Sequence, residues 1–574
     1  MSRSRAAIEV SDVWYRYSAT SPGWTLQGLN LLVEPGAFTV VTGPSGCGKS
    51  TLLYLIAGLL NRGPDRFKGT IRLQGMEKRP RSAGSSSLVG LLLQDPSRQL
   101  HQLTVLDELR SGPLYAGASW ADADKEARNA SEGLVPAELW SASPRKISVG
   151  QQQRVALASL LALHREVLLL DEPFSCLDGS GARDLLGLLL RLVDAGSTVV
   201  VSTHDVGWLG HSPRSIVLMD SGKAVSTGPP GDILPSATFD RLVGTPLSVR
   251  VAAAVAPTIG RPLLTWGDLA SVTVLQPRSS VSAQTTSAGE QALPSSGECL
   301  LDVQHLFAAR TEQAWILEDV SLSVQAGTAL GVVGRNGGGK CTLGLALFAA
   351  VPRVRGDFRL RSGAITKKPQ PVPGDFCYLP QNPTDMLFET TCFREVAFGP
   401  RLLRDPEPRL TAEAALAEVG LASKEHDHPR ALSAGQQRLL TLASVLACQP
   451  SLLFLDEPEY GLDQKSWEAV ARIIRLRAAR GLGIILVSHN LELVFGTCSH
   501  LLVIEGGRAA WLGPATLDAV ANVRHLFEPL TTHPAGLDWL AWSSMNGLDR
   551  ASKAALLSKV EELAAGSAPR RAQP

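Results

Sequence analysis

Short apolar runs that end in a small or polar residue recur along the chain, and this pattern predicts buried strands alternating with helices. The first run, residues 38–41, leads into a glycine-rich loop and an apolar stretch of helical character, 51–60. Further runs at 69–74, 88–93, 167–170 and 198–202 have the length and composition of strands. Such an order of elements is typical of an α/β fold.

Two segments depart from this alternation. Residues 8–32 are rich in strand-forming side chains and include Trp14, Tyr15 and Tyr17. In a nucleotide-binding module Tyr17 is our candidate for stacking on a base, although a half-buried strand aromatic explains any one of the three equally well. Residues 97–146 turn helical and polar, which predicts an inserted helical subdomain.

The glycine-rich loop after the first strand has the composition of a phosphate cradle. It consists of Gly43, Pro44, Ser45, Gly46, Cys47, Gly48, Lys49, Ser50 and Thr51. Small residues let successive backbone N–H groups face phosphate oxygens, and the following helix adds its positive end. Lys49 would then reach the terminal phosphates and Ser50 would ligate Mg²⁺. The competing interpretation is a glycine turn with a surface lysine.

Polar side chains stand where the later strands end. Gln94 follows one strand, and its amide could reach Mg²⁺ or an attacking water. Asp171 and Glu172 follow another, where the aspartate can hold Mg²⁺ and the glutamate can polarise water. His204 ends a third strand. A second anion-binding helix start is predicted from Ser148, Gly150 and Gln151.

The whole set occurs twice. Gly334 follows Gly43 by 291 residues, Gln381 follows Gln94 by 287, and the remaining features recur at 285. An internal duplication explains this constant spacing. The second loop consists of Gly334, Arg335, Asn336, Gly337, Gly338, Gly339, Lys340, Cys341 and Thr342. The other repeated positions are Gln381, Ser433, Gly435, Gln436, Asp456, Glu457 and His489.

Composition limits the remaining possibilities. The 574 residues are 44% hydrophobic and 19% charged, with a net charge of +1, so nothing points to nucleic acid. Eight scattered cysteines indicate reduced thiols. No apolar run reaches the roughly 20 residues of a bilayer span, and the start of the sequence lacks a signal-peptide core, so we expect a cytosolic location.

The repeat defines the domain boundaries that we predict. A first nucleotide-binding domain spans 1–245 and continues into an extension, 246–276. Residues 277–298 are rich in Ser, Ala, Thr and Pro and read as a flexible linker. A second nucleotide-binding domain spans 299–515, and 516–574 form a helical C-terminal extension.

These motifs together resemble the nucleotide-binding domains of ABC ATPases. The resemblance implies two tandem P-loop domains, each a mixed sheet with an inserted helical subdomain, and implies hydrolysis of ATP with Mg²⁺. It assigns the catalytic positions to Gln94, Glu172, His204, Gln381, Glu457 and His489, and the metal positions to Ser50, Gln94, Asp171, Gln381 and Asp456.

The segments that begin at Gln94 and Gln381 resemble one subfamily of these ATPases in particular. QDPSRQLHQLTVLDELRSGP and QNPTDMLFETTCFREVAFGP are similar to ATPases of energy-coupling factor importers, which take up vitamins and transition-metal ions. This implies a peripheral position on the cytoplasmic face of the membrane, with a scaffold and a substrate-capturing subunit as integral membrane partners.

The resemblance also implies a head-to-tail pseudodimer in which each ATP lies between one loop and the Ser-x-Gly-Gln of the other half. Cys341 replaces a Mg²⁺-binding hydroxyl, and Val149 replaces a glycine, so both departures fall on the site built around Lys340. The aromatic is absent there as well, because matching Leu317 to Leu26 puts Ala308 at the place of Tyr17. We therefore expect the site around Lys49 to be the better hydrolytic one. Alternatively Thr342 or water replaces the ligand and both sites work.

Three rival functions remain. One is a fused ATPase of a peptide or nickel-peptide importer. Another is a soluble ABC protein that acts on ribosomes, although the sparsely charged linker does not favour it. A third is a regulatory ATP binder with little turnover.

Overall fold

The computed structural model describes residues 6–19, 23–77, 88–175, 177, 179–246, 248–249, 264–265, 298–311, 314–361, 363, 365–370, 372, 374–382, 386–459, 461–515 and 526. These residues fall into two compact units, one made almost entirely of residues up to 265 and the other of residues from 298 onward. The predicted linker, except Glu298, and nearly all of the predicted C-terminal extension lie outside the described residues.

The first half alternates strands and helices as the apolar runs predict. Its strands are β1 (Ile8–Tyr15), β2 (Leu26–Val33), β3 (Phe38–Thr42), β4 (Phe67–Leu73), β5 (Met76–Glu77), β6 (Val89–Leu92), β7 (Val167–Asp171), β8 (Thr198–Ser202), β9 (Ser215–Asp220) and β10 (Lys223–Gly228). Its helices are α1 (Lys49–Ala57), α2 (Val105–Tyr115), α3 (Trp120–Ser131), α4 (Val149–Leu161), α5 (Gly179–Asp194), α6 (Pro230–Ile233) and α7 (Ala237–Leu242).

The second half repeats these elements. Its strands are β11 (Cys299–Ala309), β12 (Leu317–Gln325), β13 (Ala329–Gly334), β14 (Arg353–Leu360), β15 (Phe376–Leu379), β16 (Leu452–Asp456), β17 (Gly483–Val487), β18 (His500–Glu505) and β19 (Arg508–Pro514). Its helices are α8 (Lys340–Leu347), α9 (Cys392–Leu402), α10 (Pro408–Glu418), α11 (Ala434–Ala447), α12 (Gln464–Ala479) and α13 (Leu491–Thr497).

Each half has a six-stranded sheet with the same strand order. The order is β6-β7-β8-β3-β9-β10 in the first half and β15-β16-β17-β13-β18-β19 in the second. All neighbours are parallel except the last pair of each sheet, which is antiparallel. The central strands are buried along their whole length, which is why they read as unbroken apolar runs. The prediction of a mixed sheet in each half is confirmed.

A smaller antiparallel sheet and a group of helices complete each half. The smaller sheet has the order β2-β1-β4-β5 in the first half and β12-β11-β14 in the second. Helices α2 and α3, and likewise α9 and α10, lie between the strands that carry Gln94 and Asp171 or their counterparts, as the polar insert predicts. Thr104 and Thr391 cap the first helix of each insert by accepting a backbone hydrogen bond.

None of the helices in the described part of the chain has the length and apolar character of a bilayer span.

Candidate active site

The two glycine loops connect a central strand to a helix in the same way. Helix α1 begins at Lys49 after Gly48, whose φ is 106°, and α8 begins at Lys340 after Gly339, whose φ is 104°. A side chain at either glycine would be strained and would also meet the leucine that begins the second strand of that half, Leu26 or Leu317. Glycine is therefore required where the backbone turns into the helix.

Both loop lysines fold back over their own loop. Lys49 Nζ donates to the carbonyl of Gly43 at 2.7 Å, and Lys340 Nζ donates to that of Gly334 at 2.6 Å. These bonds keep each ammonium group inside the loop, where the helix start also presents backbone donors. A phosphate group would be surrounded by a cation and N–H groups at this place.

The buried Glu172 pairs with the half-buried His204, and the two residues follow the ends of neighbouring strands. Glu172 Oε1 lies 2.9 Å from His204 Nδ1. Burial raises the pKa of Glu172, but the charge of His204 outweighs this and holds the pKa below its ordinary value. Burial conversely lowers the pKa of His204, and the Glu172 carboxylate reverses that shift and raises it. The pair therefore favours a carboxylate and an imidazolium together.

The second half contains the same pair with one further contact. Glu457 Oε1 lies 2.9 Å from His489 Nε2, and Gln381 Nε2 donates to Glu457 Oε2 at 2.7 Å. Burial opposes ionisation, but His489 and the other donors lower the pKa of Glu457 to about 2. Within the described residues, no hydrogen bond joins Gln94 to Glu172, so the two glutamines differ in what they contact.

Both glutamates have a strained backbone. The φ angle is 49° at Glu172 and 48° at Glu457, in the left-handed region that side chains other than glycine rarely adopt. The N–H groups are held by the next strand, at 3.0 Å from the carbonyl of Ser202 and 2.9 Å from that of Val487. Such strain is typical of residues whose direction matters for function.

The two aspartates are held by different side chains. Asp171 accepts hydrogen bonds from Ser50 at 3.1 Å and Tyr54 at 3.0 Å, and also one from Ser202. Burial raises the pKa of Asp171, and these donors moderate the shift. The sequence analysis missed Tyr54, which lies four residues after Ser50 and thus on the same side of α1.

In the second half, Asp456 receives a thiol and a phenol. Cys341 Sγ lies 3.5 Å from Asp456 Oδ1, and Tyr378 donates to Oδ2 at 3.1 Å. Burial, followed by the charge of Asp456, raises the pKa of the Cys341 thiol. Sulfur is also a poorer ligand than oxygen for a hard cation such as Mg²⁺. Tyr378 lies on β15 and Tyr54 lies on α1, so the same bond comes from two unrelated positions of the repeat.

The structure corrects the placement of Ala308. Tyr15 pairs with Leu26 in the first half and Ala308 pairs with Leu317 in the second, so Ala308 corresponds to Tyr15 and not to Tyr17. The connection between these paired residues is two residues shorter in the second half, and a constant offset misaligns it.

Arg310 takes the place of Tyr17. Tyr17 Oη lies 2.9 Å from Thr51 Oγ1, and Arg310 Nε donates to Thr342 Oγ1 at 3.1 Å. Tyr17 is 51% exposed and Arg310 is exposed, so a planar group in each half borders the glycine loop and can contact a ligand there. The sequence analysis overlooked Arg310.

The second predicted helix start is real in both halves. Ser148 and Gln151 form a reciprocal capping box at the start of α4, with bonds of 2.9 and 3.3 Å, and Ser433 and Gln436 do the same at α11. Val149, the first residue of α4, is 48% exposed beside this cap.

The residues present suit Mg²⁺ in the first half better than in the second. The Ser50 hydroxyl and the Asp171 carboxylate supply oxygen, which Mg²⁺ prefers, whereas Cys341 offers sulfur beside Asp456. No group of three or more His, Cys, Asp and Glu that could hold a metal occurs in the described residues. Mg²⁺ in proteins usually keeps phosphate and water among its ligands.

Each half has a glycine loop with its lysine, an aspartate behind the loop and a glutamate–histidine pair. These features together define each half as a P-loop nucleoside triphosphatase domain. A family model described as ABC transporter matches residues 26–175 and 317–459. The chain therefore belongs to the ABC transporter family and carries two ABC ATPase domains, which bind ATP with Mg²⁺ and hydrolyse it.

Two similar proteins align with this chain over most of the length of both chains. A Streptomyces coelicolor protein named as an ABC transporter ATP-binding protein is 32% identical over 552 residues, which cover 90% of this chain and 95% of the relative. A Methanosarcina mazei protein of the same description is 29% identical over 552 residues, with 93% of both chains covered. The solved structure of CbiO1 from Clostridium perfringens, part of the ABC transporter complex CbiONQ, is 25% identical. That match covers 45% of this chain and 98% of CbiO1, with a TM-score of 0.37.

Proposed function

We propose that the protein energises a membrane importer of a micronutrient, either a vitamin or a transition-metal ion, from the cytoplasmic face of the membrane. Its partners would be an integral membrane scaffold and a substrate-capturing membrane subunit. The observation that carries the membrane partnership is a pair of exposed apolar surfaces, one on each helical insert. The choice of micronutrient depends on the resemblance of the segments after Gln94 and Gln381.

Tyr115 and Leu402 occupy equivalent ends of α2 and α9. Their exposed fractions are 85% and 72%, which is unusual for side chains of this size. Leu103 is 86% exposed just before α2, and Phe388 is 61% exposed just before α9. Tyr115 and Leu402 are 287 residues apart, as Gln94 and Gln381 are, so this exposed apolar position is shared by the two halves and supports a shared need to contact a partner.

A buried carboxylate fixes the loop before each of these helices. Glu108 Oε2 accepts the backbone N–H groups of His101 and Gln102, at 2.7 and 2.8 Å. Glu395 Oε2 does the same for Phe388 and Glu389, at 3.0 and 2.8 Å. These bonds fix the backbone of the segment before each helix, next to Leu103 in the first half and at Phe388 in the second, which lowers the entropic cost of docking.

The energy for transport would come from a head-to-tail pseudodimer. The first site would combine Lys49, Ser50, Gln94, Asp171, Glu172 and His204 with Ser433, Gly435 and Gln436. The second would combine Lys340, Cys341, Gln381, Asp456, Glu457 and His489 with Ser148, Gly150 and Gln151. Closure on ATP and opening after hydrolysis would move membrane helices that dock on the inserts.

The first site would be the better hydrolytic one. Glu172 would accept a proton from the attacking water while His204 holds the carboxylate in place. Asp171 has three side-chain donors, including the Ser50 hydroxyl. In the second half the thiol of Cys341 takes the place of that hydroxyl beside Asp456. When bound, Mg²⁺ offsets the charge of the phosphates, and Ser50 suits that ion better than Cys341 does.

Purification from detergent-solubilised membranes tests the partnership. We expect the tagged chain to carry integral membrane proteins with it, and we expect Tyr115→Glu with Leu402→Glu to release them while ATPase activity remains. Leu32→Glu is the matched control, because Leu32 is 62% exposed on β2 of the antiparallel sheet. Cosedimentation with ribosomes in place of membrane proteins would contradict the proposal.

Uptake assays test the cargo. Cells that express the chain with its membrane partners should accumulate a labelled vitamin, cobalt or nickel ion. A variant with Lys49→Ala and Lys340→Ala should abolish this uptake, since it removes both loop cations. Accumulation of a labelled peptide instead would overturn the choice of a micronutrient and leave the membrane partnership standing.

A further inference from the structure

One buried guanidinium connects three parts of the second half. Arg438 lies on α11, two residues after Gln436, and is 1% exposed. Its Nη2 donates to the carbonyls of Asp456 at 2.6 Å and Glu457 at 2.5 Å. Its Nη1 donates to the carbonyl of Pro380, the residue before Gln381. The capped helix, the glutamine loop and the acidic strand end thus share one cation.

The first half has a neutral and shorter side chain at this position. Gln153 corresponds to Arg438 at the offset of 285, and its Nε2 donates to the carbonyl of Pro173 at 2.7 Å. None of its contacts within the described residues reaches the loop of Gln94. This difference agrees with the glutamines themselves, because Gln381 bonds to Glu457 and no such bond joins Gln94 to Glu172.

The second half also has an acidic side chain, Glu459, that the first half lacks. Glu459 is half-buried and stands where the first half has Phe174, which packs edge-on against Trp208 at 4.9 Å. Glu459 Oε1 accepts a hydrogen bond from Ser488, and its Oε2 is buried with no hydrogen-bond partner among the described residues. Arg438 and Glu459 thus stand where the first half has the neutral side chains of Gln153 and Phe174.

We propose that Arg438 is a positioning residue that fixes the glutamine loop of the second half against Glu457. By holding the carbonyls of Pro380 and Glu457, the guanidinium keeps Gln381 within reach of the Glu457 carboxylate. The turnover of the second site then depends on a contact that the first site does not use. This role of Arg438 goes beyond the proposed function, because it concerns ATP hydrolysis by the second half and does not depend on a membrane partner or a cargo.

The variant that tests this is Arg438→Gln with Glu459→Phe, which installs the first-half pair. Changing both residues avoids leaving the buried Oε2 of Glu459 beside a neutral glutamine, which would alter the stability of the domain for an unrelated reason. Glu172→Gln is added to silence the first site, and single-turnover hydrolysis of ATP is measured in the full chain. We expect the rate constant to fall by at least about tenfold with KM within about twofold, because misplacement affects chemistry more than binding.

Gln437→Ala in the same Glu172→Gln background is the matched control. Gln437 lies beside Arg438 on α11, and its side chain donates to the Pro429 carbonyl at 3.3 Å, away from the acids. We expect it to leave the rate constant and the melting temperature unchanged.

Three results would overturn the inference. They are an unchanged rate constant in the double swap, an equal loss in Gln437→Ala, or a loss that follows a lowered melting temperature. A chain with Glu172→Gln alone that hydrolyses nothing would also overturn it, since no turnover would then depend on the loop. Failure to recover a membrane partner would instead count against the proposed function and leave this inference intact.

Discussion

Ser50 donates a 3.1 Å hydrogen bond to Asp171, whereas Cys341 stands 3.5 Å from Asp456 in the other half. At this position the two halves differ by one atom, oxygen or sulfur, although both loops begin their helix in the same way. Because Mg²⁺ prefers oxygen ligands, this exchange bears directly on hydrolysis. The difference lies at the start of the helix that each loop begins and leaves the fold unchanged.

Glu172→Gln and Glu457→Gln should have unequal effects. We expect the first to reduce steady-state ATP turnover by at least about a hundredfold and the second by less than about threefold, because the first site would do most of the hydrolysis. Phosphate release from the purified chain measures both. Equal losses from the two changes would refute the asymmetry.

Cys341→Ser should improve the second site. It restores a hydroxyl beside Asp456, and in a Glu172→Gln background we expect turnover to rise by about tenfold and half-saturation by Mg²⁺ to move to lower concentration. Ser50→Cys in a Glu457→Gln background is the reciprocal change and should do the reverse. If Cys341→Ser altered neither quantity, the thiol would not limit the second site.

Tyr17 and Arg310 should make the ATP affinities of the two halves depend differently on contact with the adenine base. We expect Tyr17→Ala to weaken ATP binding by the first half by about tenfold, since base stacking on an aromatic ring contributes about 1–3 kcal/mol. The measurement is ATP titration in a Lys340→Ala background, with tripolyphosphate as a ligand that lacks a base.

Tyr17→Phe is the control for that experiment. It keeps the ring and loses the hydroxyl that contacts Thr51, so affinity should change little. Arg310→Tyr in a Lys49→Ala background should strengthen ATP binding and leave tripolyphosphate binding unchanged. Equal changes for both ligands would show that these residues do not contact the base.

Glu459 should make stability depend on pH. Burial raises its pKa from 4.5 to about 7, so between these values the unfolded chain loses a proton that the folded chain keeps. Stability therefore falls as pH rises through this window, and above pH 7 the deficit is constant at no more than about 3 kcal/mol. Glu459→Gln should match the natural chain at pH 4.5 and melt at a higher temperature at pH 8.

The exposed Glu132→Gln is the comparison for this pH series. A surface change of this kind alters stability by less than about 0.5 kcal/mol at any pH. A Glu459→Gln variant whose melting temperature shifted equally at pH 4.5 and pH 8 would contradict the assignment of the titration to Glu459.

The sequence was sufficient for the sheet and for much of the site. A strand buried on both faces leaves an apolar run, and the residue after it lies at the edge of the sheet, so Asp171, Glu172 and His204 could be placed together in advance. The glycine loops were predictable for the same reason, because a positive φ and a close neighbour both require glycine at Gly48 and Gly339.

Residues that act through tertiary contacts left no such trace. Tyr378 and Asp456 are 78 residues apart in the sequence, and Arg438 is 58 residues away from Pro380, whose carbonyl it contacts. Neither separation follows from a local pattern. Arg310 was missed because a shortened connection broke the constant offset between the halves.

The phenol that holds each aspartate comes from α1 in the first half and from β15 in the second. Exchanging β15 for β6 would put Leu91 in place of Tyr378, while the helix offers Leu345 where the first half has Tyr54. Asp456 would then lose its phenol, and the opposite exchange would crowd two phenols around Asp171. Single elements can therefore not be exchanged between the halves without changing the contacts of the aspartate. A chimera that keeps one phenol beside each aspartate must exchange the strand, β6 or β15, together with the helix, α1 or α8.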